Sequence, residues 1–252
     1  MEGFLHWLVV FARVGTLFGV LPVFSAQSIP VQVRLGLAGL SALLINPFVA
    51  AFPEPSTVFG LAGILFSEIS VGLLLGFVSK LVFYAIEIAG TVLANELGLN
   101  LAGVMNPVAS GSTPLPTQLL HLLTVVLFFC LDLHTWMIVG LQQSYQVLGP
   151  GAAVMQKQLL LHVLNQVANI FGLAVLFTGP VLAVSFVVNI IFSLLGRAIP
   201  QVNALSESFP VRTMTGLFVF GSTSVLLGRE IANALGRIPQ GFSHVIHLLA
   251  GA

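Results

Sequence analysis

The sequence predicts an all-α membrane protein built from about six to eight long, partly kinked helices and helical hairpins. Hydrophobic residues make up 57% of the 252 positions, and charged residues make up 6%, against about 25% in soluble domains. Eight basic and eight acidic side chains are too few to keep a soluble surface of this size dispersed. The long apolar runs do not alternate, which favours helices over the strands of a membrane barrel.

The first 99 residues predict three helices. The N-terminus has no basic region followed by a small-residue cleavage site, so its apolar run is interpreted as a mature helix over about 4–21, ending at Pro22. A second helix is expected over about 31–51, before the proline pair that surrounds Glu54. A third begins near 56 and continues, with breaks, to about 96.

A Gly/Ser/Pro-rich loop over 100–116 separates these helices from the C-terminal hairpins of 117–252, and the whole chain is expected to form a single domain. The fourth helix is expected over about 117–147, because Gly and Pro follow it. A further apolar run covers 158–196, and the last covers about 211–235.

The run over 158–196 is too long for one simple membrane crossing. It has 39 residues without a formal charge, whereas about 20 residues span the hydrocarbon core. Gly179 and Pro180 lie inside it and predict either a kink or a hairpin. The few basic residues divide almost evenly between the two sides of a six-segment arrangement, so no orientation is predicted.

A charged joint interrupts the apolar C-terminal half. Arg197, Glu207 and Arg212 lie there, although neither 158–196 nor 213–228 contains a formal charge. Arg197 is placed to stabilise the C-terminal end of the preceding helix. The next helix is expected to begin at Ser208-Phe-Pro-Val211, where Ser caps and Pro occupies the first turn, as in Ser28-Ile-Pro-Val31.

Two ionisable residues fall within apolar helices and must face protein or water, because a charge at a lipid-facing helix centre costs about 2.5–3.5 kcal/mol or more. These are Arg13 and Glu68. Gly72 and Gly76 follow Glu68 at four-residue intervals, a spacing that lets another helix approach closely. Glu68 could pair with Arg13 or Arg34, and two interpretations stay open, a structural ion pair and a proton relay.

Other polar residues give weaker signals. Asp132 and His134 point in different directions on a helix, and polar packing is the expected role. His244 and His247 could reach one metal ion, but two histidines without a third ligand do not predict a metal site. Cys130 is expected to be a small core residue. Because the common enzyme motifs are missing, we predict no catalytic activity, no cofactor and no metal.

Many of these residues occur in a pattern that resembles the FliR family of flagellar export-apparatus membrane proteins, whose SctT relatives serve injectisome type III secretion. The most specific part is Arg197-Ala-Ile-Pro200-Gln201-Val-Asn203, followed by Phe209-Pro-Val-Arg212. Glu207-Ser208 and Asp132-Leu-His134 depart from the usual pattern and put fine contacts in doubt. The matching residues, which cover nearly the whole chain in order, are Arg13, Pro22, Ile29, Pro30, Arg34, Glu68, Gly72, Gly76, Ala89, Gly90, Gly98, Pro107, Ser144, Pro180, the two segments just quoted and Gly216.

The resemblance implies one subunit of a helical export gate in the bacterial inner membrane, at the flagellar basal body. FliP-like, FliQ-like and FlhB-like partners are implied, with unfolded export substrates passing through the assembly. The charged joint, with Pro200, Gln201 and Asn203, is then expected at a subunit contact or pore end. An alternative is a proton-coupled secondary transporter using Arg13, Glu68 and Asp132.

The same resemblance implies that part of the central loop plugs the closed channel. Small residues let such a segment pack in a narrow lumen, and a methionine can seal it adaptably. A plain surface loop is the alternative interpretation. The candidate plug residues are Met105, Asn106, Pro107, Val108, Ala109, Ser110, Gly111, Ser112 and Thr113.

Overall fold

The computed structural model describes residues 2–25, 29–50, 57–100, 113–199 and 203–251. No strand lies in these ranges, and the all-α prediction is confirmed. The helices are α1 (Glu2–Val20), α2 (Pro22–Ser25), α3 (Val31–Ile45), a 3-10 turn (Asn46–Phe48), α4 (Val58–Glu96), α5 (Leu115–Cys130), α6 (Leu133–Val147), α7 (Lys157–Ala198), α8 (Ala204–Leu235) and α9 (Ile238–Ala250).

Helix length and composition confirm the membrane class. Within the described ranges, five helical segments are long and apolar enough to cross a membrane, and a sixth is reached if the bent pair α5–α6 counts as one span. Helix α4 has 39 residues and α7 has 42. At 1.5 Å per residue these helices are about 60 Å long, roughly twice the hydrocarbon thickness of a bilayer.

The helix predicted over 117–147 is wrong in one respect, because the structure divides it into α5 and α6. The two helices meet at an angle of 63°. Asp132 lies at the bend in the left-handed conformation, with φ of 53°. Aspartate tolerates this conformation better than most residues, and it interrupts the helical path without a Gly or Pro to announce the break.

The last long helix begins earlier than predicted, at Ala204 instead of about residue 211. The side-chain oxygen of Asn203 accepts a hydrogen bond from the backbone N–H of Ser206 at 3.4 Å, so asparagine takes the capping position expected of Ser208. Ser208 is buried, and Pro210 lies inside α8. A single proline removes one backbone hydrogen bond, which the helix accommodates.

The end of α3 and the continuity of α7 also differ from the predictions. The second predicted helix stops at Ile45 instead of about residue 51, because a 3-10 turn containing Pro47 follows it. Pro180 lies inside α7, which continues from Lys157 to Ala198. The hairpin interpretation of Gly179-Pro180 is therefore wrong, while each end of the helix lies within two residues of the predicted run.

The chain divides into two compact units. Unit 1 comprises Met1–Val82, Phe128–Val167 and Leu235–Ala252. Helix α1 packs on α3, where the indole N–H of Trp7 donates to the carbonyl of Gly39 at 3.3 Å. The amphipathic α9 buries Phe242 against Trp136, with ring centroids 5.3 Å apart. Val9, Val14 and Leu17 of α1 are fully buried in this unit.

Unit 2 comprises Phe83–Leu127 and Ala168–Ala234. Close contact between α4 and α5 occurs at Gly90, where an added Cβ would lie 2.5 Å from the Cα of Thr117. Helix α4 ends through Gly98, whose φ of +68° is the left-handed conformation common after helix ends. The Thr213 hydroxyl of α8 donates to the carbonyl of Leu97 at 2.6 Å and fixes this end.

Candidate functional site

Arg13 of α1 is fully buried in unit 1, and each of its five N–H groups has a partner. Its Nε donates to Glu68 Oε2 at 2.8 Å, and its Nη2 donates to Glu68 Oε1 at 2.9 Å. Its Nη1 donates to the Ser144 hydroxyl at 3.0 Å. The carbonyl of Leu148, at the end of α6, lies 3.3 Å from Nη2 and 3.4 Å from Nη1.

Glu68 of α4 is equally buried and accepts four hydrogen bonds. Two come from Arg13, in the two-point geometry that suits guanidinium and carboxylate. The Tyr145 hydroxyl lies 3.3 Å from Oε2, and the backbone N–H of Gly151 donates to Oε1 at 3.1 Å. Because a carboxylate offers about four lone-pair sites, the acceptor capacity of Glu68 is filled.

The sequence of α6 and the turn after it explains how the network is closed. Ser144 and Tyr145 lie in the last turn of α6, and the α6 end at Leu148 presents a free carbonyl toward the guanidinium. The Arg13 Cζ atom is 3.9 Å from the centroid of the Tyr145 ring, within cation–π range. Gly151 has φ of +74°, a conformation that favours glycine.

Gly72 and Gly76 bring α4 against α1 beside the ion pair. A Cβ on Gly72 would collide with the backbone carbonyl oxygen of Arg13 and with the hydroxyl of Thr16. A Cβ on Gly76 would lie 2.9 Å from the Cβ of Val20. The predicted glycine face is therefore where α1 approaches, and the approach places the guanidinium and the carboxylate at bonding distance.

A closed network of this kind holds helices in register. Both charges are removed from solvent, so removing either partner would leave the other uncompensated. Each donor of Arg13 and each acceptor site of Glu68 is already used by residues of unit 1. Of the two arginines that could pair with Glu68, Arg13 makes the contact, whereas Arg34 of α3 donates through Nε to the carbonyl of Phe24 at 3.0 Å.

The described residues of the predicted charged joint do not take part in the Arg13–Glu68 network. Arg197 is exposed in the last turn of α7, and Asn203 caps α8. In unit 2, Arg212 Nη2 donates to the Asn189 side-chain oxygen, while its buried Nε has no hydrogen-bond partner among the described residues. Pro200 and Gln201 lie outside the described residues. The contacts of this joint with other subunits stay a prediction.

The candidate plug also lies mostly outside the described residues. Thr113 is the one member of 105–113 within them; it is exposed, and its carbonyl accepts a hydrogen bond from Gln118 Nε2 at 2.6 Å. This bond ties the first turn of α5 to Thr113, two residues before the helix begins. The plug assignment therefore stays a prediction.

The residues with weaker signals do not join the buried network. Asp132 is exposed at the α5–α6 bend and makes no hydrogen bond or ion pair with Arg13 or Glu68 in the described part of the chain. The His244 ring lies 4.4 Å from His162, and the described residues contain no group of three or more metal-binding side chains. Cys130 is exposed, so its expected place in the core is wrong.

Sequence reasoning missed two residues that the structure makes prominent. Tyr145 contacts both members of the ion pair, and no spacing rule connects it to positions 13 and 68. Glu87 is exposed on α4, in line with Thr91 and Asn95. Its signal was present in the sequence, since polar residues recur at i, i+4 and i+8 along an apolar helix.

Comparison with known proteins gives a consistent result. Residues 4–238 match the family described as bacterial export proteins, family 1. The flagellar biosynthetic protein FliR of Caulobacter vibrioides is 32% identical over 83% of this chain and 84% of its own length. FliR of Escherichia coli K12 is 25% identical over 99% of this chain and 94% of its length.

A relative described as a translocation protein also matches. The Yop proteins translocation protein T of Yersinia pestis is 30% identical over 83% of this chain and 82% of its own length. The resemblance to the FliR and SctT proteins is thereby confirmed. These matches give no support to the transporter alternative.

Proposed function

Since the chain belongs to the bacterial export proteins, family 1, and is a subunit of the flagellar or type III export apparatus, we propose that it forms part of the wall of the export channel. Unfolded export substrates would pass along this wall as they cross the bacterial inner membrane. We propose FliP-like and FliQ-like subunits as direct neighbours in the gate, with an FlhB-like subunit associated.

The distribution of exposed apolar side chains along α7 is the observation that carries this proposal. Leu160 is 59% exposed near the start of the helix, Phe186 is 65% exposed, and Leu194 is 60% exposed near its end. From Leu160 to Leu194 the helix extends about 50 Å. Lipid tails cover only about 30 Å of a perpendicular helix, and about 40 Å of one tilted by 40°.

Apolar side chains at both ends of α7 therefore need a cover other than lipid. Neighbouring protein subunits supply such a cover, as in obligate assemblies with large hydrophobic interfaces. The closed ion pair supports the same function, because it joins α1, α4 and the end of α6 within unit 1. A wall subunit needs this connection between its helices, whereas a transporter needs an accessible titratable group.

Co-purification tests the proposal. The chain carries an affinity tag in a flagellated host that lacks its own copy, membranes are extracted in mild detergent, and bound proteins are identified by mass spectrometry. We expect the FliP-like and FliQ-like subunits in a stable complex, and restored secretion of flagellar substrates. Recovery of the chain as a monomer from a strain that secretes normally would overturn the proposal.

We also propose that residues 105–113 close the channel at rest. The support is the family resemblance together with the small side chains of this segment. Deletion of residues 106–113 should leave the complex assembled but make it conduct ions, measured as current across planar bilayers. The control changes Ser110 and Ser112 to Ala and keeps the loop length, so it should stay closed. Equal conductance of the deletion and the control would contradict the plug assignment.

A further inference from the structure

The exposed face of α4 changes character along the helix. In its first half the exposed large side chains are apolar, and they include Phe59 at 89%, Phe66 at 73% and Leu73 at 45% exposure. From residue 74 to residue 86 no side chain is exposed. In the remaining part of the helix the exposed residues are Glu87, Thr91 and Asn95, and all three are polar.

These three polar residues form one stripe, since positions four apart lie on the same side of an α-helix. Of the three residues, Glu87 has the strongest need for a polar environment, because its side chain is a carboxylate. Within the described part of the chain its carboxylate makes no hydrogen bond or ion pair. An unpaired carboxylate on an outer helix face is strongly disfavoured in hydrocarbon, so this face is in contact with water or with a cation.

Distance along α4 separates the stripe from the lipid-facing residues. Measured from Phe59, a hydrocarbon layer of roughly 30 Å ends near residue 79 and includes Leu73, whereas Glu87 lies about 42 Å from Phe59 along the helix. The apolar first half can therefore lie in the bilayer while the stripe lies outside it. The stripe does not need to be buried by lipid to keep the first half of α4 in the membrane.

The stripe also borders an open groove of about 370 Å³ in unit 2, lined by Tyr84, Glu87, Ile88, Thr91 and Val92. Its polar members offer a carboxylate and two hydroxyls, while most of the exposed lining is apolar. The carboxylate and hydroxyls fit the backbone amides and basic side chains of an extended polypeptide, and the apolar wall accommodates its apolar side chains.

We propose that the Glu87–Thr91–Asn95 stripe is the water-filled face of α4 along which the exported polypeptide slides. This proposal rests on the channel-wall function and adds the surface of this chain that contacts the substrate. A neighbouring subunit that inserted a Lys or Arg beside Glu87 would also satisfy the carboxylate. It would keep water and substrate away from Thr91, which separates the two arrangements experimentally.

The test uses single cysteines in the assembled, secreting apparatus. Cys130 is the one cysteine of the chain, and Cys130→Ser provides the background. Thr91→Cys places a thiol in the stripe, and Leu73→Cys is the matched control on the exposed apolar part of the same helix. Cells are treated with a membrane-impermeant maleimide, and the labelled fraction of each variant is followed over time.

Apolar surroundings raise the pKa of a thiol, and an increase of one in this pKa lowers the population of the reactive thiolate about tenfold. We therefore expect Thr91→Cys to react at least tenfold faster than Leu73→Cys. Equal labelling rates would overturn the proposal, as would protection of both sites. Restored secretion and co-purification of the partner subunits are measured in the same strains, so the channel-wall function is tested separately.

A second measurement distinguishes substrate contact from simple exposure to water. An export substrate with one cysteine is stalled in the apparatus by fusion to a folded domain, and copper phenanthroline oxidises neighbouring thiol pairs to disulfides. A cross-link between the substrate and Thr91→Cys, with none to Leu73→Cys, is expected. Labelling of Thr91→Cys by maleimide without any cross-link to the stalled substrate would overturn the assignment of substrate contact.

Discussion

Replacing Glu68 by Gln should destabilise unit 1 while barely changing its shape. The carboxylate accepts two hydrogen bonds from Arg13, at 2.8 and 2.9 Å, and further ones from Tyr145 and Gly151. The amide of Gln has one oxygen and one NH2 group, so an N–H would oppose the donors of Arg13. The guanidinium would remain buried without a counter-ion.

The expected loss follows from the burial of both groups, whose side chains are 0% and 1% exposed. Removing one member of a buried ion pair costs about 3–5 kcal/mol. At roughly 2–4 °C per kcal/mol for a chain of this size, the melting temperature should fall by about 6–20 °C. The measurement is size-exclusion chromatography of the detergent-extracted complex after heating, with a fluorescent tag on this chain.

Two variants complete the experiment. Glu87→Gln removes an exposed carboxylate from the same helix and should leave the melting temperature unchanged. The double variant Arg13→Met with Glu68→Leu replaces the pair by apolar side chains, and it should recover most of the lost stability, because the desolvation cost of both charges disappears. The double variant should also secrete. Unchanged melting of Glu68→Gln together with abolished secretion would refute the structural role and favour proton transfer.

Two smaller substitutions probe the backbone of the same unit. Gly72→Ala should cost about 1–3 kcal/mol or more by overpacking, because its Cβ meets the Arg13 carbonyl and Thr16. The control Gly63→Ala, with nothing within 4 Å, should be neutral or stabilise α4 by up to about 1 kcal/mol; similar melting temperatures for the two would contradict the close helix approach. Asp132→Gly should keep the bend and melt no lower than the parent, whereas Asp132→Val should lose about 1–2 kcal/mol in the left-handed conformation; a Val variant as stable as the Gly variant would contradict that conformation.

The positions of the long helices were largely predictable, because apolar runs in lipid have few alternatives to a helix. The run 158–196 became α7, from Lys157 to Ala198. The incorrect prediction was the hairpin at Pro180, which the sequence offered as the alternative to a kink. In an apolar environment, ending a helix exposes several backbone groups, whereas a proline within the helix removes one hydrogen bond, so continuation is the lower-energy solution.

Helix boundaries that depend on a single residue were not predictable. Asp132 interrupts the path between α5 and α6 in the left-handed conformation, and no Gly or Pro in the sequence there indicates the break. At the start of α8, both Asn203 and Ser208 are good capping residues, and the pattern Ser-Phe-Pro favoured the later one. The choice depends on how the first two turns of α8 pack, which local sequence does not encode.

The contact between Arg13 and Glu68 was partly predictable, whereas the further hydrogen bonds that complete the network around it were not. The positions of Arg13, Glu68 and the glycines after it indicated that the two charges lie in a helix contact, since neither charge could face lipid. The contributions of Ser144 and of the Leu148 carbonyl come from a segment more than 130 positions away from Arg13. Such contacts follow from tertiary packing, and no periodicity in the sequence predicts them.

The two carboxylates of α4, Glu68 and Glu87, illustrate two ways in which an apolar helix can carry a charge. Glu68 faces four hydrogen-bond donors from three other segments of the chain, so its charge is neutralised within this subunit and adds to its rigidity. Glu87 has no such partner among the described residues, and an exposed carboxylate of this kind is stable only in contact with water or a cation. A subunit that worked alone in lipid would gain nothing from the second arrangement. An unpaired, exposed carboxylate on a helix twice as long as a bilayer is thick is therefore expected of a protein whose surroundings include water and other subunits.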